Sequence, residues 1–222
     1  MVSATSAAEG EGEVARWREE RAAADAAWVV TVPPGVSGNV RIERVEVTHE
    51  QARMVNLRAM FKGHRTNAEA GTYTHLYVGR ELMMSDTPDE RSAHRGFVNR
   101  ARGEVLVGGL GIGMVLNALL AKPEVKHVTV VEANEHVMKL VAPHYAENPR
   151  VTLVHADVFT WTPPSGMVYD AIWHDIWPNI CADNLKDMTR LRRRYKKWTR
   201  SGRVGDVECW ERAQCQYQAR RG

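Results

Sequence analysis

The chain has only three cysteines in 222 residues, Cys181, Cys209 and Cys215. An odd number with no CxxC pair argues against a disulfide framework and against a zinc site. Reduced thiols and no bound metal are expected. The sequence also lacks an apolar run long enough to span a membrane, so no membrane partner is expected. It lacks an excess of either charge. Thirty basic and 27 acidic residues leave a net +3, too little to demand a polyanionic partner. The opening stretch MVSATSAAEGEGEVARW is acidic and rich in Ala and Gly. It has no basic-then-apolar leader pattern, and a cytoplasmic location is the expectation. There is no internal repeat.

What is present divides into three parts. Residues 1–27 are rich in Ala, Glu and Arg and read as a flexible or helical arm. Residues 28–86 read as a small β lobe. It contains WVVTV before Pro33-Pro34-Gly35, the alternating VRIERVEV over 40–47, and THLYV and ELMM around a Gly79-Arg80 turn. A change of phase between Ile42 and Val45 suggests a bulge. Thr87-Pro88-Asp89-Glu90 then opens a helix that should run to about Arg102. From residue 104 onward, strands alternate with helices: EVLVG, HVTVVE, RVTLVHAD and YDAIWHD are four strands of a parallel α/β sheet. A long helix follows, with Leu185, Met188, Leu191, Tyr195 and Trp198 on its buried face. The final stretch, SGRVGDVECWERAQCQYQARRG, contains no clear strand. The sheet is therefore expected to be truncated after its fourth or fifth strand.

The chemistry lies at the carboxyl ends of these strands, where open parallel sheets bind ligands. Gly109, Gly111 and Gly113 form a GxGxG turn between the first strand and a helix. Glycines there let the backbone turn sharply and approach a ligand. A dinucleotide fingerprint needs GxGxxG, but Met114 occupies its last glycine position, and the GK[ST] of a P-loop is absent. The next three strands end in Glu132, Asp157 and Asp175. An acid at the second strand end can accept hydrogen bonds from ribose hydroxyls, and one at the third can meet an adenine edge. Three strand-end acids and a glycine loop together point to a nucleoside.

The arrangement resembles the class I S-adenosylmethionine (AdoMet)-dependent methyltransferases, and within them the spermidine synthase-like branch. VLVGGLGIGMVL, VTVVEANEHVMKLVAPHY, RVTLVHADVFTW and YDAIWHDIWP are similar to that branch's first four strands and their loops. THLYVGRELMMSDTPDERSAH is more loosely similar to its β-hairpin lobe, so the likeness covers roughly residues 72–180. The resemblance implies a Rossmann-like sheet with AdoMet or decarboxylated AdoMet as cofactor. It implies that Gly109, Gly111 and Gly113 line the methionine and ribose side, that Glu132 binds the ribose hydroxyls, and that Asp157 binds the adenine amino group. Asp175 takes the place of the aspartate that accepts a proton from an attacking amine.

Two departures from that pattern bear on the substrate. The synthases follow the aspartate with D-x-x-D-P; here the segment is Asp175-Ile176-Trp177-Pro178, with Trp177 at the second acid. Ile112 also replaces an acid of the synthase loop. The sequence therefore favours methyl transfer to an N or O of a small molecule, with Asp175 orienting or deprotonating the nucleophile. The alternatives are aminopropyl transfer and a non-catalytic AdoMet- or nucleic-acid-binding module. The basic run RLRRRYKKW motivates the last, although one solvated helix face explains its spacing. By strand alternation Trp173 shares a face with Asp175 and is open to a core or a site role, whereas His174, on the other face, reads as structural. His94 faces the cofactor only by analogy and is given no catalytic role. The unfinished sheet leaves an edge that a second copy of the chain could cover.

Overall fold

The computed structural model describes residues 25–61 and 66–221. The expected N-terminal arm falls almost entirely outside the described residues. The first sheet is antiparallel, in the order β1 (Gly35–Ser37), β2 (Val40–Val47), β3 (Gly71–Val78) and β4 (Glu81–Ser85). Gly79, at φ 62°, makes the β3–β4 turn with open space around it. The turn geometry, not packing, asks for glycine there.

Three expectations for this lobe need correction. Residues 28–32 form no strand. They run as a strap whose Trp28, Val30 and Val32 are buried, and Arg44 donates to the carbonyls of Val30 and Val32 in place of a strand ladder. β2 pairs with β3 without a bulge; the register shift lies between Leu76 and Tyr77 on the β3–β4 side. The apparent change of phase in β2 arises because only its first half, Val40 and Ile42, is buried. Finally, a helix, α1 (His49–Phe61), joins β2 to β3. It buries only Ala52, so it has no apolar periodicity to read. Its signature is a capping box, with Gln51 N–H donating to the Thr48 hydroxyl and Thr48 N–H to the Gln51 side chain.

The connecting helix α2 (Pro88–Arg100) starts behind Thr87 and is capped by Ala101, two residues short of the expected end. The second sheet follows as β5 (Gly103–Gly108), α3 (Met114–Leu120), β6 (Val125–Glu132), α4 (Glu135–Val141), β7 (Val151–His155), β8 (Ala171–His174), α5 (Asn184–Tyr195), β9 (Val207–Cys209) and α6 (Arg212–Ala219). Its five strands are parallel, in the order β7-β6-β5-β8-β9. This is a Rossmann-like α/β sheet, with a fifth strand three residues long. The chain winds outward from β5 in one direction and from β8 in the other, so the topological switch point lies between them.

Each face of this sheet is buried. Val105, Val107, Val128 and Val130 pack with α3 on one face, joined by Val40, Ile42 and Leu76 of the first lobe. Leu106 and Ile172 pack with Met188, Leu191 and Tyr195 of α5 on the other. The two lobes therefore share one core, which fixes the β3–β4 hairpin over the end of the parallel sheet. The expected buried face of the long helix is observed.

His174 and Trp173 divide between these faces. Trp173 stacks on Phe97 with ring centroids 4.8 Å apart, and belongs to the core. His174 is fully buried 4.8 Å from the Tyr195 ring, and neither ring nitrogen has a hydrogen-bond partner among the described residues. Burial pushes its pKa down to about 3, so it is neutral in the fold. The unfolded chain takes up the proton below its ordinary value near 6.5, and the fold does not until about 3. Stability is therefore lost as pH falls across that window, at up to ~1.4 kcal/mol per pH unit. Urea unfolding of wild type and His174→Leu at pH 7 and pH 5 should show this as a difference of differences. The wild type should lose up to ~2 kcal/mol more than the variant on acidification; equal losses would show that His174 does not titrate this way.

Candidate active site

The switch point is built by close approach of two strand ends. The loop leaving β5 crosses the residue that follows β8: Asp175 N–H donates to the Gly108 carbonyl at 2.8 Å, and a Cβ on Gly109 would overlap the Asp175 carbonyl oxygen. Gly109 also has φ 98°, a conformation that side chains other than glycine rarely adopt. Gly111, at φ 51°, leaves room for Met84 from the hairpin. Gly113, at φ 79°, caps α3 and leaves room for the Tyr145 hydroxyl, which donates to Asn117 at 2.8 Å.

A cavity of about 420 Å³ lies between this loop and the β3–β4 hairpin. Gly109, Gly111, Glu132, Asp157 and Asp175 all line it, roofed by Leu76, Val78, Met83 and Met84 of the hairpin. Gly113 does not line it; that glycine serves the helix behind the loop. Five of the six residues singled out from the sequence thus meet in one cavity, from four strand ends.

Each acid is held differently. The Glu132 carboxylate accepts from Leu110 N–H at 2.8 Å with one oxygen and from Asn134 N–H at 2.7 Å with the other. It ties the glycine loop to the end of β6, and each oxygen keeps a free lone pair toward the cavity. Asp157 is exposed and uses one oxygen to accept from Phe159 N–H at 2.8 Å, in a short turn. Its second oxygen has no hydrogen-bond partner among the described residues. Asp175 is 11% exposed and 3.5 Å from the His94 ring. Burial lifts its pKa to about 6, against the lowering effect of His94.

His94 is what sequence reasoning missed. It is fully buried on α2, with Nε2 3.5 Å from both Asp175 and Glu90. Burial opposes its protonation, but the Asp175 and Glu90 carboxylates outweigh this and raise its pKa. Its ring also packs edge-on against Trp173, with centroids 5.7 Å apart. Glu90, one turn earlier on α2, is the only sequence signal: an acid and a histidine at i, i+4. The cavity lining itself holds three carboxylates and, among the described residues, no cationic side chain.

Part of the basic run over 190–197 is tied to the protein's own groups, although Arg190, Arg193, Lys196 and Lys197 are exposed. Arg194 donates to the Thr160 and Trp161 carbonyls, Arg192 donates to Val207, Arg190 lies over the Phe159 ring and Lys197 over Trp198.

No family model matches the chain. A polyamine aminopropyltransferase of Ralstonia nicotianae is 36% identical to it over 110 aligned positions, 43% of this chain and 21% of that protein. The chain thus spans about a fifth of the length of the curated relatives it matches. Among solved structures, the spermidine synthase of Thermotoga maritima is 16% identical with TM-score 0.38, covering 70% of this chain and 51% of its own. The CcbJ methyltransferase of Streptomyces caelestis is 19% identical with TM-score 0.39, covering 50% and 46%.

The electrostatics make Asp175 measurable in isolation. An NMR titration of its carboxyl carbon should give a midpoint near 6, with the carboxylate charged above it. In His94→Gln the neighbouring positive charge is gone, so the midpoint should move up. A midpoint that stays put or falls would show that His94 is not charged beside Asp175.

Proposed function

We propose that the cavity binds a sulfonium nucleoside of the S-adenosylmethionine type, and that the chain transfers an alkyl group from it to an amine. The observation that carries this is the lining: three strand-end carboxylates and, among the described residues, no cation, at the switch point of a parallel sheet. Such a cavity fits a cationic nucleoside. Glu132 would hold the ribose hydroxyls with its free lone pairs, and the unpartnered oxygen of Asp157 would meet the adenine amino group. Gly109 and Gly111 let the backbone approach the ligand, and Gly113 contributes by starting α3. When bound, the sulfonium supplies an electrophilic carbon.

The remaining work falls to the chain. Asp175, with its raised pKa, accepts the proton of the attacking amine near neutral pH. His94 and Glu90 hold that carboxylate in place and set its charge. The apolar hairpin residues keep water from the reacting centre, and positioning supplies most of the acceleration.

The lining favours aminopropyl transfer from decarboxylated AdoMet. That cofactor is cationic at both the sulfonium and the amine, whereas the carboxylate of AdoMet would meet acids and no cationic side chain. The similarity to a polyamine aminopropyltransferase supports the same choice. Methyl transfer to an N or O of a small molecule, the reading the sequence favours, is the second reading. It is supported by Trp177 and Ile112, which are 8% and 0% exposed where a polyamine site would carry acids.

Calorimetric titration with AdoMet and decarboxylated AdoMet tests the site. Decarboxylated AdoMet should bind more tightly, and Glu132→Gln should weaken both by about tenfold or more, roughly 1.4 kcal/mol. With short amines as acceptors, release of methylthioadenosine identifies aminopropyl transfer and release of S-adenosylhomocysteine identifies methyl transfer. Binding with neither product supports the non-catalytic alternative, and no binding of either cofactor refutes the nucleoside reading.

A further inference from the structure

A second cavity, of about 560 Å³, shares no lining residue with the first. It lies between α2, β9 and the start of α6. Three arginines from three elements line it: Arg100, Arg192 and Arg212. Arg100 is neutralised, 2.6 Å from Glu208. Arg192 and Arg212 have no salt-bridge partner among the described residues. Arg192 spends one N–H on the Val207 carbonyl, at 2.7 Å, and keeps the rest of its fork. The Nε of Arg212 is buried with no hydrogen-bond partner. Burial, with the like charge of Arg212, lowers the pKa of Arg192 against the smaller raising effect of Cys209 and Glu208.

Further donors belong to residues of the same lining. Trp173 lines the cavity, is 4% exposed, and its indole N–H has no partner. α6 begins there, with Glu211 and Arg212 in the lining. Glu211, in the N-cap position at φ 47°, gives no side-chain cap, and the first turn of α6 contains no acid. The free N–H groups of that turn are therefore left for another acceptor. The two acids in the lining do little to fill this role. Glu208 is committed to Arg100, and burial raises the pKa of Glu211, weakening its charge.

We propose that this cavity binds the phosphate group of a small phosphorylated molecule, held by Arg192, Arg212 and the first turn of α6. Paired guanidinium forks and a helix N-terminus match a tetrahedral oxyanion. The cavity is larger than a phosphate ion and leaves room for an organic part beside Ala93 and Gly96. The proposal is independent of the nucleoside reading of the first cavity.

The test is calorimetric titration of the full chain at constant ionic strength with inorganic phosphate and with glycerol 3-phosphate. Both should bind saturably, glycerol 3-phosphate more tightly. Arg212→Gln should weaken both by about tenfold or more. Arg193→Gln, which removes an exposed charge on the same helix, should leave both unchanged. Circular dichroism checks that each variant is folded. If Arg212→Gln is not, Arg212→Lys keeps the charge, loses the fork, and should still weaken binding several-fold. Absence of saturable binding would overturn the proposal. So would an Arg212 variant that binds like the wild type, or equal weakening by Arg193→Gln. Equal affinity for both probes would remove the organic part and leave an inorganic phosphate site.

Discussion

The contact on which the active-site geometry depends is the crossing of two strand ends, Gly109 against the backbone of Asp175. A side chain at Gly109 would overlap the Asp175 carbonyl oxygen, so the loop after β5 can pass this close to the end of β8 only with glycine at that position. Asp175 N–H, bonded to the Gly108 carbonyl, continues the β5–β8 ladder one residue past the strand. Gly109 N–H donates to the Val131 carbonyl and Leu110 N–H to the Glu132 carboxylate, which fastens the same loop to β6. Three strand ends are held together by main-chain contacts, and the side chains of Glu132 and Asp175 reach one cavity without further adjustment. The glycines therefore serve the protein's own packing first. Their proposed service to a ligand follows from the same absence of side chains.

The electrostatics of the cavity follow from what surrounds that crossing. Asp175 is nearly out of water, which raises its pKa, and His94 behind it partly offsets the rise. The pKa of His94 in turn is raised, against its own burial, by Asp175 and Glu90. The cluster is thus self-consistent: each charge is tolerable because the others are present. The same α2 helix that carries Glu90 and His94 places Phe97 against Trp173, so the charge cluster is anchored to the core by an aromatic stack. Rigidity at this point matters for any proton transfer, because an acceptor held within hydrogen-bond reach avoids reorganisation at the moment of reaction.

Much of this was legible in the sequence, and the reasons are local. Strand-end acids are readable because a buried parallel strand is an apolar run, and its last residue is the one that changes character, as in VTVVE or TLVHAD. The glycine loop is readable because its conformations exclude other residues. His94 was not assigned, because its role depends on which face of α2 meets the end of β8, some eighty residues later, and local pattern does not carry that information. The strap at 28–32 has the composition of a strand and lacks only a neighbour to pair with. β9 is three residues long, too short for alternation to register, and is defined by its place beside β8. α1 has no buried face and is announced by its capping box alone.

The departures from the synthase pattern acquire a physical meaning once the cavity is seen. Ile112 is fully buried in the core, where an acid would be an unpaired carboxylate, whereas Trp177 lines the cavity and gives it an apolar wall. Glu90 and Glu211 bring negative charge back to the reacting end, and both influence His94, but neither lines the cavity. Their charge reaches a ligand only through His94 and Asp175. At that end of the cavity, the lining offers Asp175 as the one carboxylate for a cationic amine, with Glu132 and Asp157 on other strand ends and already bonded to main-chain N–H groups. A long polyamine gains from a second carboxylate spaced to meet its second ammonium, and here that contact is missing. On the proposed reading, a short amine would fit these walls better than a long one, with Asp175 as its charged contact.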